Sequence, residues 1–156
     1  MRKETISKRA ARAACIVLTV GVILGLTGCT PRHDVSFGYI DGELLFVACT
    51  PMEAEQVHVR VRHGDDNWEV LWIAEGEVKA GRADEIAVLT PDPNLTLIEH
   101  HPERWEGATR VSVELFPITG LGELGDPVGA NVAASAIPRS TWLRADGHVS
   151  ESPCNE

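Results

Sequence analysis

From Gln56 to His63 the chain alternates without a break, Val57, Val59 and Val61 on one side and His58, Arg60 and Arg62 on the other. Period two marks a strand with one face in a core and the other in water. Thr109 to Phe116 repeats the pattern, with Val111, Val113 and Leu115 inward and Arg110, Ser112 and Glu114 outward. No segment beyond the first thirty-odd residues holds an apolar 3.6-residue period through three turns, so an all-β architecture leads.

The strongest local signal is a hairpin. Val35 to Ile40 and Glu43 to Cys49 are separated only by Asp41-Gly42, a dipeptide whose positive φ angles match the twist of paired strands. In the second arm Leu44, Leu45, Phe46, Val47 and Ala48 are apolar at every position, which predicts a central strand covered on both sides. Further runs are Trp68 to Ala74, Glu77 to Ala80, Glu85 to Thr90, Leu95 to Glu99 and Val132 to Ile137. In the first of these, Trp68, Val70 and Trp72 share a face, which makes Trp68 and Trp72 core residues. Seven to nine short strands at such spacing, with Gly, Pro, Asp and Asn between them, predict a single antiparallel β-sandwich, Ig-like or similar. A small barrel is second.

Two segments break the pattern. Thr50-Pro51-Met52-Glu53-Ala54 offers an N-cap, a proline in the first turn and a glutamate in the cap-box position, which predicts a short helix. Pro117 to Asn131 contains four glycines and two prolines and reads as an irregular surface loop.

The first 28 residues read as an address. Arg2, Lys3, Lys8, Arg9 and Arg12 precede an uncharged stretch from Ala13 to Leu26. That stretch is too short to span a hydrocarbon core, which takes roughly 18 to 20 residues, and fits a secretory signal helix. It ends in Leu26-Thr27-Gly28-Cys29, which resembles the lipobox of bacterial lipoproteins. The resemblance implies cleavage before Cys29 and a diacylglycerol thioether on its sulfur. The expected organisation is a signal peptide over 1–28, a lipidated tether over 29–34 and a sandwich domain over 35–156. The expected location is the cell membrane, lipid-anchored and facing the extracytoplasmic side. Ile40 to Pro51 also resembles small lipoproteins of high-GC Gram-positive bacteria, in which an Asp-Gly hairpin leads into a strand ending near Cys-Thr-Pro. That resemblance carries no activity.

Cleavage would take five basic residues and one acid with it, leaving 9 against 22 and a formal net charge of -13. A nucleic-acid partner is excluded, because neutralising phosphates needs clustered Lys and Arg. Of four cysteines, Cys15 leaves with the signal and Cys29 takes the lipid. Cys49 and Cys154 remain, and outside the cytoplasm an even remainder of two predicts one disulfide. It would pin the polar tail from Glu151 to Cys154 to the end of an early strand.

Nucleophile, phosphate-loop, dinucleotide and zinc-finger motifs are absent, so no catalytic residue and no cofactor is predicted. Glu99, His100, His101 and Glu103 form the one cluster able to offer metal ligands, but adjacent strand residues point to opposite faces and Pro102 keeps His101 extended. A solvated loop competes with the metal site. Trp105 and Trp142, in polar surroundings, are candidate exposed anchors for a sugar or a protein. His58, Arg60 and Arg62 make a local positive stripe, or an ordinary polar face. The expected function is a non-enzymatic interaction or ligand-binding module of the cell envelope, with the membrane as one partner through Cys29 and an envelope protein or small ligand as the other. The alternative is an envelope metal-binding protein using His100 and His101.

Overall fold

The computed structural model describes residues 34–120 and 122–155; the expected signal peptide, the expected lipidation site Cys29 and the expected tether up to His33 lie outside the described residues. Strand β1 (Val35–Ile40) pairs antiparallel with β2 (Glu43–Ala48), in register from Val35 opposite Ala48 to Ile40 opposite Glu43. Asp41 and Gly42 between them take φ of 52° and 87°, the pair of positive angles expected of a two-residue hairpin turn. There follow β3 (Met52–Arg62), β4 (Glu69–Ala80), β5 (Ile86–Ala87), β6 (Thr96–His100), β7 (Arg110–Phe116), β8 (Val128–Ala133), β9 (Trp142–Arg144) and β10 (Val149–Ser150).

The strands form two antiparallel sheets of five, ordered β10-β9-β1-β2-β5 and β6-β4-β3-β7-β8. This is an all-β sandwich. Its main core lies between the sheets. Val35, Phe37, Leu44, Phe46 and Ala48 face Val57, Val59, Val61, Trp72, Val111, Val113 and Leu115. Phe37 and Phe46 meet edge to face with ring centroids 5.2 Å apart, and the Trp72 indole donates to the Val88 carbonyl at 2.7 Å, so its one polar atom is satisfied within the core.

A second, smaller core covers the outer face of the first sheet. Leu45, Val47 and Cys49 pack there with Trp142 and Cys154, so β2 is buried on both faces as its unbroken apolar run predicts. Cys49 and Cys154 are joined by a disulfide with Cα atoms 5.5 Å apart. The Ser36 hydroxyl, itself fully buried, donates to the Pro153 carbonyl at 2.5 Å. The C-terminal tail is thus fastened across the sheet by the disulfide and by polar contacts, Ser36 with Pro153 and Arg144 with Asn155.

Several expectations need correction, and two of them trace to register shifts between β3 and β4. Trp68 to Ala74 and Glu77 to Ala80 are one strand, β4, because Glu75-Gly76 is not a turn. Gly76 is instead an extra residue at a register shift against β3, with φ of 143°. A second shift leaves Leu71 unpaired between Trp72 opposite Val59 and Val70 opposite Arg60. A bulge of this kind reverses strand parity, so Leu71 and Trp72 are both buried. Trp68 falls before β4, half-buried on the outer side with the Arg62 guanidinium 5.4 Å over its ring. It is not the core partner of Trp72.

The short helix over Thr50–Ala54 does not form; Met52 begins β3, whose residues 52–54 pair with Ala80, Lys79 and Val78. A helical turn there would forfeit those ladder bonds and expose Ala54, which is buried. Val132 to Ile137 is split between β8 and a 3₁₀ turn at Ala134–Ala136. The supposed loop from Pro117 to Asn131 is more regular than its glycines suggest. Ile118 bridges Leu124, Gly125 N donates to Pro117 O at 2.7 Å, and β8 begins at Val128.

Candidate functional site

The two ends of the sandwich differ in what they carry. At the near end β1 begins beside the end of β2, the disulfide sits, and only Cys49, Thr50 and Pro51 separate β2 from β3. The 117–127 excursion leaves β7 toward this end, since Phe116 pairs with Gln56 early in β3. The far end holds the Asp41-Gly42 turn, the 63–68 turn, the 101–109 connection and residues 134–141. Trp105, read from sequence as a candidate anchor, and the glycine-rich loop therefore lie at opposite ends and cannot form one surface.

Among residues singled out from sequence, Trp142 is removed from any exposed surface. It is 5% exposed, because its ring lies on Gly38 of the neighbouring strand. A Cβ on Gly38 would stand 3.1 Å from Trp142 Cε3 and 2.6 Å from Thr141 O. The glycine is what admits the indole, in the manner of cross-strand aromatic cover over a glycine. Trp105 sits in a 3₁₀ turn (Pro102–Trp105) and packs, half-buried, against the main core. Its neighbour Arg104 ties the turn to β4, donating to Val70 O at 2.8 Å and pairing with Glu69 at 3.5 Å.

His58, Arg60 and Arg62 do share the outer face of the second sheet, but they form no free cationic stripe. Arg60 is ion-paired with Glu114 on β7, and Arg62 is spent on Trp68. The His58 ring packs on Phe116 at 4.5 Å and shares a 2.8 Å hydrogen bond with Gln56. Burial, seconded by the Arg60 charge, lowers the His58 pKa from its ordinary 6.5, against the opposing pull of Glu114 and Glu99.

In the acidic histidine cluster only His101 gathers carboxylates. Glu99 approaches its Nε2 at 3.8 Å and Glu103 its Nδ1 at 3.6 Å. Because the two ring nitrogens point away from each other, these acids bracket the imidazole and do not converge with it on one point. His100, on β6 opposite Trp72, is exposed. Among the described residues no three His, Cys, Asp or Glu side chains are grouped to hold a metal ion.

Two of the cavities among the described residues carry charged rims. One, of about 670 Å³, opens on the flank between β4 and the β5–β6 crossover. Its rim is acidic, with Glu43, Glu77, Asp84, Glu85 and Asp92 against Lys79. Two of those acids are already used: Glu77 pairs with Lys79 at 3.3 Å, and Asp92 accepts from the Asn94 backbone and amide, each at 2.8 Å.

The other, of about 780 Å³, is at the far end, where the first hairpin meets the segment after β8. Tyr39, Asp41, Ser135, Arg139 and Ser140 line it above the buried Ile137. The 138–140 segment is stitched to β1 by Tyr39 N to Pro138 O at 3.0 Å and Ser140 N to Tyr39 O at 2.7 Å. Burial raises the Tyr39 phenol above its ordinary pKa of 10.0, while the nearby positive charge of Arg139 opposes that rise. Sequence reasoning missed this group. Arg139 is the single charged residue between Asn131 and Trp142, a weak signal that acquires meaning only when β1 is placed beside it.

No protein-family model matches the chain, and neither the curated proteins nor the solved structures show a match to it.

Proposed function

We propose that the chain is a membrane-anchored extracytoplasmic lipoprotein, held by a lipid on Cys29, whose sandwich serves as a non-enzymatic binding module for an envelope protein or a small ligand. The observation that carries this reading is the Cys49–Cys154 disulfide, since such bonds persist in oxidising compartments outside the cytoplasm. It agrees with the basic, then apolar, then Leu-Thr-Gly-Cys order of the first 29 residues.

Metabolic labelling with a palmitate analogue tests the anchor. Label is expected on the wild type and not on Cys29→Ser, and equal labelling of the two would exclude the lipoprotein reading.

A further inference from the structure

We propose that the far-end cavity binds a small carboxylate bearing a hydrogen-bond donor beside the acid, the chemistry shared by amino acids and hydroxy acids. At about 780 Å³ it falls within the range of small-molecule sites, roughly 300 to 1,000 Å³. Its lining is rich in donors. The Arg139 guanidinium offers a planar fork of N–H groups that fits a carboxylate two-to-two, and the Tyr39, Ser135 and Ser140 hydroxyls add three more donors. Among the described residues none of these four side chains is engaged in a hydrogen bond or an ion pair with another. Four other arginines are committed, Arg60 to Glu114, Arg104 to Glu69, Arg110 to Asn131 and Arg144 to Asn155, while Arg82 lies outside this cavity. Arg139 keeps its charge free in a domain where acids far outnumber bases.

The backbone supports the same assignment. Ser140 holds φ of 63°, a left-handed conformation that costs a residue with a Cβ roughly 1 to 2 kcal/mol, and hydrogen bonds to β1 on either side of Arg139 maintain it. Strain retained in this way is concentrated at sites of function. Asp41 selects among anions. It is among the lining residues of the same cavity, and its carboxylate would accept from an ammonium or hydroxyl next to the ligand's acid and repel a ligand that is anionic on all sides, such as phosphate. Ile137 supplies an apolar floor.

The inference deepens the binding-module reading, but its test stands apart from the anchor. Full-length protein in detergent micelles is titrated calorimetrically with L-alanine, L-lactate and inorganic phosphate. Saturable binding of alanine or lactate, without phosphate, is expected. Arg139→Gln should weaken that binding at least about tenfold, the scale of a lost charge-assisted pair, and Arg139→Lys should weaken it less. Asp41→Asn should reduce alanine binding more than lactate binding, because it removes the partner of an ammonium. Ser135→Ala, at an exposed position, gives a second readout with no demand on the fold. The proposal is overturned if neither acid binds the wild type, if phosphate binds as well as the acids, or if Arg139→Gln and Ser135→Ala both leave binding unchanged. Binding that survives in Cys29→Ser while palmitate labelling is lost supports the pocket and the anchor independently; unlabelled wild type that still binds alanine or lactate supports the pocket alone.

Discussion

Opening the Cys49–Cys154 bond should remove a large part of this domain's stability. The bond spans 105 residues, and in the chain-entropy account closing a loop of that length takes roughly 16 cal/mol/K from the unfolded state, about 4.8 kcal/mol at 25 °C. The native contacts say how much of this is recovered elsewhere. Without the bond, the Ser36 to Pro153 and Arg144 to Asn155 hydrogen bonds and the apolar contact of the tail with Val47 and Trp142 still favour the docked tail. They must then bear the ordering entropy of residues 151–155 alone. A net loss of about 3 to 5 kcal/mol follows for Cys154→Ser, or for reduction of the wild type. With a urea slope of about 1.5 kcal/mol/M for a domain of this size, the unfolding midpoint should fall by roughly 2 to 3 M, and the slope should rise because the unfolded chain without its crosslink is more expanded. The assay is equilibrium unfolding followed by tryptophan fluorescence, with and without reductant. Reduction should have no effect on the Cys49→Ser/Cys154→Ser protein. A loss below about 1 kcal/mol would refute the reasoning, as would alkylation of both thiols in untreated native protein.

Three further outcomes are expected. Trp142→Ala should cost about 3 to 5 kcal/mol because it uncovers Gly38 and the second core, and Gly38→Ala should also destabilise by driving a methyl into Thr141 O and the indole; urea unfolding measures both, and near-neutral values would mean that this face is not packed. Trp72→Ala, which removes a 1% exposed ring, should cost about 3 to 5 kcal/mol, while Trp105→Ala, at a half-buried position, should cost clearly less; the reverse ranking would place the core at the far end. His58 has a folded-state pKa below its unfolded value of 6.5, so the unfolded chain takes up the proton first as pH falls, and the stability His58 contributes is present above 6.5 and lost on acidification through the folded pKa; His58→Gln should flatten the decline in thermal midpoint between about pH 7.5 and pH 5, and an unchanged slope would assign the decline to other groups.

Legibility in the sequence followed the range of the interactions. The first hairpin was readable almost to the residue, because Asp41-Gly42 fixes the turn locally and alternation on either side fixes the register. The two-sided burial of β2 was readable from its unbroken apolar run. Trp68 was misplaced because parity was carried across Leu71, where β4 holds one residue more than β3 opposite it. A bulge answers to the partner strand and leaves no local mark in a run such as Trp68 to Ala74. Trp142 was misread for a related reason. Its flanks are polar, and its cover comes from Gly38 on β1, over a hundred positions earlier, together with the disulfide-bound tail.

The same rule explains why the far-end cavity escaped sequence reasoning while the His100-His101 pair attracted it. A contiguous cluster such as Glu99 to Glu103 displays its chemistry in one dimension, yet strand geometry and Pro102 disperse it, and its carboxylates settle on opposite nitrogens of a single imidazole. Tyr39, Asp41, Ser135, Arg139 and Ser140 are unremarkable as a string. They come together because β9 returns to pair with β1, which brings the 138–140 segment onto Tyr39 just before the Asp41-Gly42 turn. A sandwich closed in this way brings residues from distant positions together at its ends and leaves the middle of each strand to the core. Its binding chemistry is therefore encoded in pairings between distant segments, and for this chain the pairing that matters most is β1 with the stretch leading into β9.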